Sequence, residues 1–143
     1  MSDRLSAALA QLPHGPEFRF IDSLLALTPG KSGTAVYKVR GDELFLRGHF
    51  PSNPILPGVI LIEAAAQLAG VVAQSDTEKL PLRELKLAAV QNIKINGTAR
   101  PGETLQIRAT TRARMGGLIQ ADVECYVGNT KILNGSVTLA GHE

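Results

Sequence analysis

One charged side chain interrupts the most apolar stretch of the sequence. Between Arg47 and Asp76 the only formally charged residue is Glu63, and its near neighbours are valine, isoleucine, leucine and alanine. Removal from water disfavours the charged form of a carboxyl group, so a glutamate in such surroundings can donate or shuttle a proton near neutral pH. The alternative is a structural carboxylate whose oxygens are satisfied by backbone groups or by a neighbouring hydroxyl.

Polar residues on both sides of this glutamate lie at informative spacings. Gln67 follows Glu63 by one helical turn, so its amide can hydrogen-bond the carboxyl group or satisfy an adjacent loop. His49 lies in a preceding loop stiffened by prolines, and imidazole is the side chain best suited to proton transfer near pH 7. A lone histidine can also be structural. His14, in a proline-bounded turn, and His142, in the tail, are weaker candidates.

The dipeptide Pro57-Gly58 is typical of a helix start. Proline is well suited to the first position of a helix, because its missing N–H costs nothing there. The N–H of Gly58 then has no helical acceptor and lies at the positive end of the helix dipole. Without a side chain, Gly58 lets a ligand carbonyl approach that N–H, which would make it an oxyanion-stabilising donor. An ordinary helix start is the alternative.

These residues must be positioned by one dominant helix, predicted from about Pro57 to Gln74. A short helix is predicted before Pro13. Alternation, β-branched residues and turn signals predict two strands before the long helix and four after it, at residues 18–27, 34–39, 83–94, 104–114, 118–127 and 131–139. A helix that is apolar nearly all round must be covered on most sides. We therefore expect a single α+β domain over residues 1–143, in which a curved antiparallel sheet wraps around the helix.

Composition excludes several classes of protein. The chain has 143 residues, of which 44% are apolar and 20% charged, so it can bury a core of its own. A net charge of +2 is too weak to argue for nucleic acid. The apolar segment at residues 55–73 contains a proline, a glutamate and a glutamine, so it fails as a membrane helix. No second histidine or cysteine stands at metal-ligand spacing, so no metal site is predicted.

The cysteine count and the N-terminus predict a cytoplasmic protein. Cys125 is the only cysteine, which excludes an internal disulfide and fits a reducing compartment. Its apolar neighbours predict a small core residue. The N-terminal residues show no basic region followed by a long apolar run, so we expect no signal peptide.

Residues 48–67 together carry a family resemblance. They read GHFPSNPILPGVILIEAAAQ, and they strongly resemble the pattern GHFPxxPxxPGVLxxEAxAQ of the β-hydroxyacyl-(acyl carrier protein) dehydratases of the FabZ type, which have a hotdog fold. Ile60 is the one mild departure. The segments LPH at residues 12–14, FID at residues 20–22 and PGE at residues 101–103 are also similar to family segments.

The resemblance implies a function and a site. It makes His49 the catalytic base, Glu63 its acidic partner, and the Gly58 N–H a donor to the thioester carbonyl, with Phe50 and Gln67 also binding substrate. The implied reaction is dehydration of a 3-hydroxyacyl thioester to a trans-2-enoyl thioester, in fatty-acid or polyketide-like synthesis, without a cofactor. It also implies an acyl carrier protein as partner and a homodimer with shared active sites, and it allows a trimer of such dimers.

The sequence departs from the family where carrier docking and acyl-chain choice are concerned. Residues 94–103 read KINGTARPGE where the family usually has RFKRPVVPGD, so Asn96 and Gly97 replace two basic residues and Ile95 replaces an aromatic one. The candidate docking cations are Arg19, Lys94, Arg100, Arg112 and Arg114. The surroundings of Ile60, Leu61, Leu68 and Val71 could supply an acyl tunnel. A hotdog thioesterase and a non-catalytic subunit that binds acyl thioesters are the competing functions.

Overall fold

The computed structural model describes residues 3–10, 12–47 and 54–143. Within these ranges, six strands form one sheet: β1 (Ser23–Thr28), β2 (Ser32–Lys38), β3 (Arg83–Ile95), β4 (Thr104–Met115), β5 (Leu118–Val127) and β6 (Thr130–His142). Their order across the sheet is β1-β2-β4-β5-β6-β3, and every neighbouring pair is antiparallel. The sheet therefore has β1 at one edge and the much longer β3 at the other.

Helices α1 (Asp3–Ala10), α2 (Leu44–Arg47) and α3 (Gly58–Gln74) accompany the sheet. Helix α3 begins directly after Pro57, as the dipeptide predicts, and its last turn closes where the N–H of Ser75 bonds to Val71 O at 3.1 Å. Eleven of its seventeen residues are buried. In the ranges that the structure describes, no helix is both long and apolar enough to cross a membrane.

The core lies between α3 and one face of the sheet. Successive side chains of a strand point to opposite faces, so every second residue faces the helix, as the burial of Leu105, Ile107 and Ala109 in β4 shows. Leu61 and Leu68 of α3 are at most 1% exposed against this face. Burying such a side chain contributes about 1.5–3 kcal/mol each. The predicted α+β architecture, a curved antiparallel sheet around one long helix, is confirmed.

The sequence prediction fails at the start of the first strand. Residues 18–27 were expected to be extended, but Pro16–Phe18 form a 3-10 turn and β1 begins only at Ser23. The N–H of Phe20 explains the difference, because it bonds to the side chain of Gln67 at 2.9 Å rather than to a neighbouring strand. The short helix α2 was not predicted at all.

Candidate active site

Helix α3 presents Glu63 at the rim of the core. The side chain is 20% exposed, so it is neither fully buried nor at the open surface. Its Oε2 accepts a hydrogen bond from Gln67 Nε2 at 3.0 Å, and His14 Nε2 lies 3.2 Å from the same oxygen. In the part of the chain that the structure describes, no donor reaches Oε1. Among these residues the carboxyl group is thus held through Oε2 alone.

Gln67 is buried to 2% exposure, and its amide has polar partners on both atoms. Its Oε1 accepts the N–H of Phe20, and its Nε2 donates to Phe18 O at 2.8 Å as well as to Glu63. Both sequence interpretations of Gln67 therefore hold together, because the amide orients the carboxyl group and also ties down the segment before β1. With both Nε2 hydrogens engaged, direct binding of substrate by Gln67 stays a prediction.

Gly58 begins α3, where its N–H has no acceptor within the helix. The carbonyl of Pro57 accepts the N–H groups of Ile60 at 2.9 Å and Leu61 at 3.2 Å, so the first turn is tightly wound. A Cβ on Gly58 would lie 2.9 Å from Ile95 Cδ1 of β3. Glycine at this position thus leaves room for the side chain of Ile95.

The other two residues of the predicted site, His49 and Phe50, lie outside the described residues. Helix α2 ends at Arg47, and the described chain resumes at Pro54, just before α3. The predicted roles of His49 and Phe50 therefore stay predictions.

His14 is the residue that the sequence interpretation undervalued. It was set aside because of its proline-bounded turn, yet it lies against Glu63 and stacks on Phe18 with the ring centroids 6.1 Å apart. It is separated from Glu63 by 49 residues, so no local spacing could pair the two. The available signal was the family-like segment LPH at residues 12–14.

A cavity of about 290 Å³ extends from Glu63 along α3. One end contains the polar cluster of His14, Glu63 and Gln67. From there it follows one side of the helix for eleven residues to Gln74, which is about 16 Å of helix axis. Its apolar walls come from the helix, from the segment before β3 and from two strands, and include Ala66, Val71, Leu82, Leu85, Leu87 and Leu139. This size and lining suit a flexible apolar chain.

The lining of this cavity differs from the surroundings that the sequence suggested for an acyl tunnel. Of those four residues, only Val71 lines the cavity, whereas Ile60, Leu61 and Leu68 are buried elsewhere in the core. The helical period accounts for Leu61 and Leu68, which project from another side of α3 than the one that carries Glu63, Gln67 and Gly70. Ile60 shares the side of Glu63 but lies one turn earlier, before the cavity begins.

Comparison with solved structures gives the fold class. The dehydratase heterocomplex ApeI:P from Xenorhabdus doucetiae superposes with a TM-score of 0.79 at 14% identity, covering 97% of this chain and 91% of that one. Zebrafish thioesterase superfamily member 2 superposes with a TM-score of 0.68 at 18% identity, covering 93% of this chain and 90% of that one. The sheet wrapped around α3 makes this a hotdog-fold protein, as predicted.

Comparison of sequences gives the family. The FabA-like domain model matches residues 12–136. A 3-hydroxyacyl-(acyl-carrier-protein) dehydratase FabZ from Clostridioides difficile is 31% identical over 90% of each chain, and one from Ruminiclostridium cellulolyticum is 33% identical over 90% of each. A FabZ from Rickettsia bellii is 35% identical over 69% of this chain and 68% of its own. The chain belongs to the FabA-like family, and the dehydratase class predicted from its motif is confirmed.

Proposed function

We propose that this protein removes water from 3-hydroxyacyl thioesters carried by an acyl carrier protein, giving trans-2-enoyl thioesters. One observation carries the proposal: among the described residues Glu63 is held through Oε2 alone, and it lies at the end of a largely apolar cavity. A carboxyl group placed there can exchange a proton with a substrate whose acyl chain occupies the cavity. The matched FabZ relatives are dehydratases of carrier-bound substrates by name.

The proposed reaction uses two proton transfers. His49 takes the proton from C2 of the substrate, and the electron pair of that C–H bond forms the C2–C3 double bond. The C3–O bond breaks, and Glu63 gives its proton to the departing hydroxyl, which leaves as water. Negative charge that develops on the thioester carbonyl is stabilised by the N–H of Gly58 at the positive end of α3. Return of the proton from His49 to Glu63 through water restores the site.

A homodimer with shared sites is part of the proposal, and the two edges of the sheet support it. Strand β1 has six residues and is covered by α1, from which the Arg4 guanidinium donates to Leu27 O at 3.1 Å. Strand β3 has thirteen residues, pairs only with β6 among the described strands, and leaves Leu87, Val90 and Ile95 between 38% and 46% exposed. A long edge with exposed apolar side chains favours pairing with another strand. A second copy of β3 is the simplest one.

In such a dimer we propose that His49 of one copy works with Glu63 of the other. The test mixes the inactive variants His49→Ala and Glu63→Gln. Random exchange leaves half of the molecules as mixed dimers with one intact pair each, so about a quarter of wild-type activity should return. Exchanged subunits that stay inactive would place the pair within one chain. The mass in solution decides whether such dimers assemble further, and a monomeric protein would instead point to a different hotdog chain as the partner.

Fewer cations are available to attract the proposed carrier protein than the sequence indicated. The Arg19 and Arg114 guanidinium groups donate to backbone carbonyls, and that of Arg112 lies 3.5 Å from Asp122. Lys94 and Arg100 are exposed, and among the described residues no partner is found for the ammonium group of Lys94 or the guanidinium group of Arg100. Both lie near the start of α3, since Ile95 packs at Gly58 and Ala99 O accepts the N–H of Leu56.

We propose that Lys94 and Arg100 attract the acidic carrier toward this end of α3. Reversing both to glutamate should lower kcat/KM for carrier-bound substrate several-fold, and the loss should shrink as salt is added. Short pantetheine thioesters should be unaffected. Lys31→Glu, at an exposed turn by the other end of α3, is the matched control. Equal losses for both kinds of substrate would contradict a docking role. A cytoplasmic location, where a soluble carrier and reduced Cys125 are expected, completes the proposal.

Incubation with a trans-2-enoyl thioester separates the proposed function from its alternatives. A dehydratase working in reverse hydrates the double bond, so the enoyl absorbance falls while no thiol is released. A thioesterase releases thiol, and a binding subunit does neither. We expect hydration by the wild-type protein and none by Glu63→Gln. Release of thiol without hydration would overturn the proposal.

A further inference from the structure

The segment that carries His14 is fastened at several points. The Arg19 Nη2 donates to Leu12 O and to His14 O, each at 3.1 Å, and the N–H of Phe18 bonds to Gly15 O at 3.0 Å. These bonds close the segment into a compact loop. Because Gln67 also binds the backbone at Phe18, the loop is tied to α3 at the level of Glu63.

The imidazole of His14 is directed at Glu63. Its Nε2 lies 3.2 Å from Glu63 Oε2, the Phe18 ring stacks on it, and its Nδ1 is buried without a hydrogen-bond partner. Within the described residues, the carboxylate is thus the polar partner of the ring.

The orientation of Gln67 is determined by its partners. A backbone N–H can only donate, so the Gln67 atom that meets the N–H of Phe20 must be the oxygen. The amide nitrogen therefore points to Phe18 O and to Glu63. A proton on Nδ1 of His14 would be a buried donor without an acceptor, so the ring proton is assigned to Nε2. Both groups that reach Glu63 Oε2, the amide and this Nε2–H, are then donors. The acceptor sites of that oxygen are filled, and a proton on the carboxyl group belongs on Oε1.

We propose that His14 is a positioning residue for Glu63. Together with Gln67 it holds Oε2, so that Oε1 is the atom that gives its proton to the departing hydroxyl. The inference rests on the proposed dehydratase function and adds to it the choice of reacting oxygen. Without His14 the carboxyl group can rotate about its last bond, and the proton is no longer presented in one direction. Misplacement of a reacting group by about 1 Å can cost as much as 10²-fold in rate.

The kinetic test compares His14→Phe with His14→Gln. Phenylalanine keeps a ring that can stack on Phe18 but cannot donate, whereas glutamine restores an N–H donor. We expect His14→Phe to lower kcat for enoyl hydration at least about tenfold, with KM changed less than about twofold, and His14→Gln to recover a substantial part of kcat. His142→Phe, the same change at an exposed histidine, is the matched control and should be neutral. Wild-type kcat in folded His14→Phe would overturn the inference.

A thermal double-mutant cycle tests the contact without relying on activity. His14→Phe, Glu63→Ala and the double variant are melted beside the wild-type protein. If His14 holds Glu63, the two shifts in Tm should fail to add by about 2 °C or more. Additive shifts would overturn the inference whatever the kinetics show. If the wild-type protein does not hydrate enoyl thioesters, the proposed function is wrong, and the assignment of Oε1 as the reacting oxygen is wrong with it. Non-additive shifts in Tm would in that case still show that His14 and Glu63 interact.

Discussion

Glu43 and Glu63 are two partly buried glutamates that the fold treats in opposite ways. Glu43 is held on both oxygens: Oε2 accepts the Tyr37 hydroxyl at 2.6 Å and the N–H of Arg40 at 3.1 Å, and Oε1 accepts the N–H of Gly41 at 2.7 Å. Glu63 is held on Oε2 alone among the described residues. The first carboxylate closes a turn after β2, and the second borders a cavity.

The hydrogen bonds in this turn also favour the charged form of Glu43. Burial opposes ionisation of Glu43, but the hydrogen bonds from Tyr37 and from the backbone at Arg40 and Gly41 outweigh it and hold the pKa of Glu43 below its ordinary value. Burial, with the hydrogen bond to Glu43, raises the pKa of Tyr37. A carboxylate with both oxygens satisfied is thereby kept charged and structural. Glu63, whose Oε1 has no donor among the described residues, is the one of the two that borders the cavity.

The largest expected effect is the loss of catalysis in Glu63→Gln. The amide keeps the size of the side chain but cannot donate a dissociable proton, so kcat should fall about 10²–10⁴-fold. Its Tm should stay level or rise, because an ionisable group has been removed from the rim of the core. Steady-state hydration assays and melting curves measure both. A folded variant that keeps more than about a tenth of the wild-type rate would contradict a catalytic role for Glu63, and with it the functional difference from Glu43.

The next effect concerns the cavity that Glu63 borders and Glu43 does not. Gly70 lies on the cavity side of α3, and a Cβ there would meet Leu85 Cδ2 at 3.6 Å, which is ordinary contact. Gly70→Ala should therefore be tolerated and stabilise α3 by up to about 1 kcal/mol. Gly70→Leu should fill the cavity and lower kcat/KM for long-chain thioesters about tenfold, with little change for a four-carbon substrate. Equal losses at all chain lengths would show that the acyl chain lies elsewhere.

Glu43→Gln should lower stability and leave kcat unchanged, which is the reverse of what is expected for Glu63→Gln. The new amide nitrogen replaces one of the two oxygens, so the backbone N–H of Arg40 or of Gly41 loses its acceptor. This loss costs about 1–2 kcal/mol and lowers Tm by a few degrees. The kcat of the folded protein should be unchanged, because the turn does not touch the cavity. Thermal melting curves and hydration assays on the same samples check the expected changes in Tm and in kcat. A marked loss of kcat at full stability would show that the turn also serves the site.

The smallest effect is a pH dependence of stability. The pKa of Glu43 is lower in the folded chain than its ordinary value of 4.5, so its contribution is complete above that value and is lost as pH falls through the lowered pKa. Below about pH 4.5 the wild-type Tm should decline more steeply than that of Glu43→Gln. Parallel acid limbs would show that other carboxylates control acid unfolding.

Local sequence patterns predicted the helices and strands well, but they predicted poorly which residues from distant segments are in contact. The long helix, its start at Pro57-Gly58 and the core position of Cys125 all follow from composition and spacing, and the structure confirms them. Cys125 is fully buried, and burial raises the pKa of its thiol to about 12, so it is expected to be inert. The start of β1 was missed because a side chain of α3, Gln67, satisfies the backbone there, and no local pattern reports a partner 47 residues away.

The sequence by itself determined that a lone glutamate, followed one turn later by a glutamine, would sit on an apolar helix within a sheet. Helical and strand periods are local properties, so the printed residues suffice for them. Only the tertiary structure decided that His14 meets Glu63, that the cavity runs past Gly70 rather than Leu68, and that Arg19 is occupied by its own loop. These facts depend on which faces of distant elements meet. That choice is made by packing the whole core, where burial and hydrogen bonding must be satisfied together.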